Sequence, residues 1–178
     1  MIQYLSDLHL ELVDIDINEI LIPEASNLAI LGNLGNPFKP HYQEFLEITS
    51  KLFIRVFVIA GEQEYSYSEM TKVDQRINEI CSKFDNIYYL NHSEYKLDQV
   101  TILGTTLWSE ISNANLHYQS CDWLNLKILE HDQVIILTHY DQLDYLVRAN
   151  VKGWLTNKSN PRGDPYLVNK DYNKTKSF

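Results

Sequence analysis

Asp7 and His9 stand two residues apart in Gln3-Tyr4-Leu5-Ser6-Asp7-Leu8-His9-Leu10-Glu11, directly after a short apolar run. In an extended segment residues i and i+2 share a face, so both side chains can reach one ion. A carboxylate beside an imidazole suits Zn, Mn or Fe. Three later apolar runs also end on residues with chemistry to offer. Leu28-Ala29-Ile30-Leu31 leads to Gly32-Asn33, Val56-Phe57-Val58-Ile59-Ala60 to Gly61-Glu62-Gln63, and Val134-Ile135-Ile136-Leu137-Thr138 to His139. A bland reading exists for each. Asp7 and His9 can be hydrogen-bonded to neighbouring backbone, Asn33 can serve as a turn former, and Glu62 with Gln63 can be a solvated turn.

The elements that would position these residues are short, apolar, β-branched strands alternating with amphipathic helices. Strands are expected at 2–5, 28–31, 55–60, 100–104 and 134–138, with weaker ones at 87–90 and 151–155. Helical spacing runs from His41 to Phe53, through Phe45, Leu46, Ile48 and Leu52. It recurs from Ser68 to Phe84, where Ser68 and Thr71 offer caps, and over 120–130 and 142–149. Alternating strands and helices imply an α/β domain. In α/β sheets sites form at the carboxyl ends of strands, where Asp7, Asn33, Glu62 and His139 all fall.

Taken in order, these segments resemble the small single-domain calcineurin-like metallophosphoesterases. That family shows D-x-H, G-D-x-G-N-P, G-N-H-E, T-H-H, G-H-T-H and N-P-R-G-Y-P. This chain has Asp7-Leu8-His9, Gly32-Asn33-Leu34-Gly35-Asn36-Pro37, Gly61-Glu62-Gln63-Glu64, Thr138-His139-Tyr140 and Asn160-Pro161-Arg162-Gly163-Asp164-Pro165. The resemblance implies a two-sheet sandwich flanked by helices and a site built from Asp7, His9, Asn33, Glu62 and His139. It also implies damage. Asn33 stands where the family's Asp bridges two metals, Glu62 where an Asn binds the second, and Gln63 where a His protonates the leaving group. Both G-H-T-H histidines are missing. Under one alignment Lys158 replaces one of them, which would put an ammonium in a metal's place; under another, that loop is deleted.

Two clamping metals need a bridging charge between them, and an amide does not titrate in a range useful for proton transfer. The expected protein is therefore catalytically inactive or crippled and acts through binding. The alternative is a weak metal-dependent phosphoester hydrolase. Either way the cofactor expectation is none, or one loosely held divalent Mn, Zn or Fe. The expected partner is an unidentified protein or a phosphorylated ligand.

Composition sets bounds on these readings. The 178 residues suit one domain, 1–178, and the 44% hydrophobic content suits a folded chain. A net charge of −9 argues against nonspecific binding to a nucleic-acid backbone. The charge is uneven: Asp7, Glu11, Asp14, Asp16, Glu19 and Glu24 all precede the first cation, Lys39. The stretch 166–178 reads as a flexible basic tail. No signal-peptide pattern or spanning apolar run is visible, and Cys81 and Cys121 are too far apart for a metal knuckle. Two free thiols fit a reducing compartment, so a cytoplasmic location is expected. His41, His92, His117 and His131 match no motif and read as surface residues.

Overall fold

The computed structural model describes residues 1–12, 21–141, 146 and 150–156. Two four-stranded sheets form the core. The first is all parallel in the order β1 (Ile2–Leu5), β2 (Asn27–Leu31), β3 (Arg55–Ile59), β4 (Ile87–Tyr89). The second runs β5 (Ser93–Leu97), β6 (Val100–Thr105), β7 (Val134–Thr138), β8 (Val151–Leu155). Its β5–β6 pair is antiparallel and the others are parallel. The helices are α1 (Pro40–Leu52), α2 (Glu62–Tyr65), α3 (Met70–Cys81) and α4 (Glu110–Glu130).

The period of two along each strand sorts the core into layers. On β2, Leu28 and Ile30 pack among residues of α1 and α3 such as Phe45, Leu46, Val73 and Ile77. Ala29 and Leu31 pack instead with Phe57, Ile59, Ile102 and Leu137, joining the two sheets. Leu103, Val134 and Ile136 meet Cys121, Leu124 and Ile128 of α4 on the far side. Strands covered on both faces are apolar along most of their length, which is why β2 after its first residue, Asn27, shows no polar alternation.

Several expectations need correction. The strand β5 was missed because Ser93-Glu94-Tyr95-Lys96-Leu97 is half exposed and lacks a β-branched run. The first half of α4 was missed because its residues are polar and its backbone is non-helical at Asn113 (φ −156°, ψ 78°). The helix α3 starts after Glu69 with no side-chain cap, so neither Ser68 nor Thr71 caps it. His117 is fully buried, with Nδ1 2.7 Å from the Trp108 carbonyl oxygen, and is not a surface residue. The helix expected over 142–149, apart from Leu146, lies outside the described residues. So do Lys158, Arg162 and the 166–178 tail.

Candidate functional site

The ends of β1, β2, β3 and β7 converge. After β1 the chain turns alongside the loop after β2: the Asp7 amide donates to the Gly32 carbonyl, His9 to Asn33, and Leu10 to Leu34, at 3.0, 3.0 and 2.9 Å. Asp7 and His9 are not extended, as the sequence argument assumed. Both are left-handed, with φ of 57° and 47°, so a turn rather than a strand pleat brings their side chains together. His9 Nε2 lies 4.0 Å from Asp7 Oδ1. Asn33 is left-handed as well (φ 54°), as its turn-forming character implies.

His139 reaches the same place from β7. It is almost wholly buried, and its Nδ1 sits 2.7 Å from the Leu31 carbonyl oxygen. A carbonyl only accepts, so Nδ1 carries the proton and Nε2 holds the lone pair, the arrangement a metal-binding imidazole uses. Burial pulls the His139 imidazole below its ordinary range; Asp7, the Leu31 carbonyl and Glu62 oppose that, and His9 reinforces it. The ring is thus held neutral at neutral pH. Gly32 makes the approach possible: its φ is +87°, and a Cβ there would stand 2.6 Å from both His139 Nδ1 and the Gly61 nitrogen.

Asn33 faces two ways. Its Nδ2 donates to Asp7 Oδ1 at 3.0 Å, and its Oδ1 accepts from the Gln63 backbone at 3.1 Å. Glu62 opens α2 and is exposed. The Tyr140 phenol stands beside it, pushed well above its ordinary range by burial first and by the Glu62 carboxylate second. The Gln63 side chain lies on the Tyr67 hydroxyl, which donates to Glu11 Oε1 at 2.9 Å. The structure therefore brings Asp7, His9, Asn33, Glu62, Gln63 and His139 together, and Lys158 lies outside the described residues.

Sequence reasoning gave no role to the residue that frames the site. Glu64 is fully buried. Its Oε2 accepts from the Asn33 and Gly61 amides at 3.0 and 2.9 Å, and its Oε1 accepts from Leu34 and Gly35 at 2.6 and 3.4 Å. Burial pushes the carboxyl up to about 7, while its own backbone amide and those of Gly61, Leu34 and Asn33 pull it back. All four partners donate, so the ionised form is the one that satisfies them. Tyr140 stands where T-H-H has its second histidine, and Glu11 lies just past D-x-H, so neither was marked by the motifs.

A second group of metal-capable residues, Glu94, Glu130 and His131, lies on the surface. The Lys127 ammonium sits 3.5 Å from Glu94 and 2.7 Å from Glu130, so a cation already fills that position. No described helix is long and apolar enough to cross a membrane.

No family model matches this chain. It is 27% identical over 199 residues to "Uncharacterized protein L509" of Acanthamoeba polyphaga mimivirus, covering 99% of this chain. The chain spans 64% of that relative's length. Among solved structures it is similar to "the Protein of Unknown Function AQ665 from Aquifex aeolicus", at 16% identity and a TM-score of 0.44. That match covers 90% of this chain and 91% of that one.

Proposed function

We propose that this chain is a degenerate calcineurin-like metallophosphoesterase homologue that acts by binding a protein or a phosphorylated ligand rather than by hydrolysis. The observation that carries the reading is the 3.0 Å hydrogen bond from Asn33 Nδ2 to Asp7 Oδ1. Where a bridging carboxylate would share a metal with Asp7, an amide donates to Asp7 directly. A metal at that oxygen would have to displace the donor, and Asn33 brings no charge to offset a second dication. Gln63 adds to this, because its amide cannot supply the proton a leaving alkoxide or phenoxide needs. The two sheets with helices on their outer faces are compatible with the proposed family fold. Two buried free thiols, Cys81 and Cys121, are compatible with the proposed cytoplasmic setting.

A weak hydrolase is the second reading, and His139 favours it. Its protonated Nδ1 leaves Nε2 as the ligand atom, near Asp7, Glu62 and His9. Those residues could hold one divalent ion, which would supply Lewis-acid polarisation of a phosphoryl oxygen. Elemental analysis of desalted protein, beside hydrolysis of an aryl phosphate with added Mn²⁺, tests both readings. The binding reading expects at most one loosely held ion at the Asp7 site and no turnover above background. Two tightly held transition metals at that site, or Mn²⁺-dependent turnover abolished by Asp7→Asn, would replace it with the hydrolase reading.

A further inference from the structure

We propose that the cleft between α3 and the junction of β4 with β5 binds a primary organic amine, its ammonium on Asp74 and its apolar or aromatic body along β4. The cleft is an open pocket of about 400 Å³ lined by Asp74, Gln75, Asn78, Tyr89, Asn91 and Ser93. No lysine or arginine is among these lining residues. A second pocket of about 320 Å³ shares Asn78, Tyr89 and Ser93 with it and adds apolar and aromatic wall from Ile87, Leu90, Tyr88 and Tyr95. The Tyr88 and Tyr95 rings stand together there, their centroids 4.4 Å apart. Each pocket is within the size range of small-molecule sites, about 300–1,000 Å³. Glu94 also lines the second pocket, but His131 and Lys127 already stand 3.1 and 3.5 Å from its carboxylate.

Asp74 is fixed by three donors on one oxygen. Its Oδ1 accepts from the Tyr65 hydroxyl at 2.7 Å, the Tyr89 hydroxyl at 2.6 Å and Asn91 Nδ2 at 3.2 Å. These partners come from the end of α2, the end of β4 and the turn after it, so three segments hold the carboxylate in one orientation. Burial first, and the Asp74 charge second, push the Tyr65 phenol above its ordinary range, so it stays a donor. The other oxygen, Oδ2, takes no hydrogen bond or ion pair from any described residue. The Asp74 charge reaches His92, but desolvation of that ring outweighs it and lowers the imidazole below its ordinary range, so His92 brings no positive charge at neutral pH. A carboxylate held this way, with one oxygen open, is pre-organised for a charged hydrogen bond from a cation. The neighbouring open groups are acceptors as well. Gln75 spends its Nε2 on Glu79 Oε1 at 2.9 Å and keeps its Oε1, and Asn91 spends its Nδ2 on Asp74 and Tyr65 and keeps its Oδ1. An ammonium carries three donors and no acceptor, which matches this set; an anion would meet Asp74 with like charge.

The test titrates the full chain with phenethylamine and follows backbone amide shifts by NMR. Saturable shifts confined to residues 74–78 and 87–95 are expected. 2-Phenylethanol keeps the body and loses the charge, so it should bind roughly tenfold more weakly, the cost of one charged hydrogen bond. Asp74→Asn should weaken phenethylamine by a similar factor. That variant keeps an oxygen for the Tyr65 and Tyr89 hydroxyls, and thermal unfolding checks that it is folded. Asn78→Asp adds a second carboxylate to the cleft and should tighten binding, a gain that misfolding does not produce. The proposal is overturned by the absence of saturable shifts, by shifts around Asp7 and Glu62 instead, or by 2-phenylethanol binding as tightly as the amine. Unchanged affinity in Asp74→Asn, or weaker binding in Asn78→Asp, overturns it too. The cleft shares no residue with the site at Asp7 and His139, so phosphoester turnover would replace the binding reading above and leave this proposal standing.

Discussion

Asn33→Asp exchanges an amide that donates to Asp7 for a second negative oxygen at the same distance. The wild-type contact is 3.0 Å. Two unit charges that far apart repel by about 5.5 kcal/mol at an effective dielectric near 20. Solvent and turn relaxation reduce this, because the Asp7 side chain is 18% exposed. The lost hydrogen bond adds about 1 kcal/mol. We expect the variant to be less stable than wild type by roughly 2–4 kcal/mol at pH 7.5 in the absence of metal. The penalty must depend on pH in a definite direction. The introduced carboxyl keeps a proton more tightly in the folded chain than in the unfolded one. Its folded pKa therefore lies above the unfolded value of about 3.9. Between those values the native state binds more protons, so the variant's stability falls as pH rises through that window. Below it the penalty vanishes. A divalent cation removes the repulsion at neutral pH, and about 100-fold excess over its dissociation constant restores about 2.7 kcal/mol. Urea unfolding of both proteins at pH 4.5 and 7.5, with and without Mn²⁺, reads all of this. A variant as stable as wild type at pH 7.5 and indifferent to Mn²⁺ would refute the claim that the Asn33 amide donor occupies Asp7 Oδ1 in place of a metal.

Other outcomes follow from the same geometry. Glu64→Gln puts an amide nitrogen against two of the four donating N–H groups and should cost roughly 3–5 kcal/mol in denaturant unfolding; a loss below about 1 kcal/mol would remove Glu64 from its framing role. Gly61→Ala drives a methyl group into the Asn33 amide. It should destabilise by about 1–3 kcal/mol, and an unchanged melting temperature would show that the two loops part freely. The double variant Asn33→Asp with Gln63→His restores a bridge and an acid without further ligands. It should recover little Mn²⁺-dependent aryl phosphate hydrolysis, because metal affinity stays limiting; robust turnover would show that the missing ligands never mattered.

The sequence displayed the fold where burial is complete and lost it where burial is partial. NLAIL and VIILT are legible because strands covered on both faces are apolar along most of their length. SEYKL is not, because an antiparallel edge strand tolerates charge on its open face. The Asp7–His9 pair was found for a partly mistaken reason. Its side chains do meet, but through left-handed backbone that no i, i+2 argument describes. Glu64 matches the last residue of G-N-H-E and caps the Gly61 amide three residues back, but its three longer-range partners, Asn33, Leu34 and Gly35, carry no local signal. His41 was taken for surface because an isolated histidine carries no periodic signal, yet its Nε2 is buried.

Glu64 separates the shape of the site from its chemistry. The loops after β2 and β3 are tied by one internal carboxylate through main-chain N–H groups, which are the same whatever side chains the loops display. A lineage can therefore exchange residues such as Asn33 and Gln63 one at a time while the loop backbone stays in register. Had a bound metal been the tie, the first lost ligand would have released the loops. With an internal tie, the loop backbone keeps its place whatever side chains it displays, and the surface it presents stays open to selection for recognition.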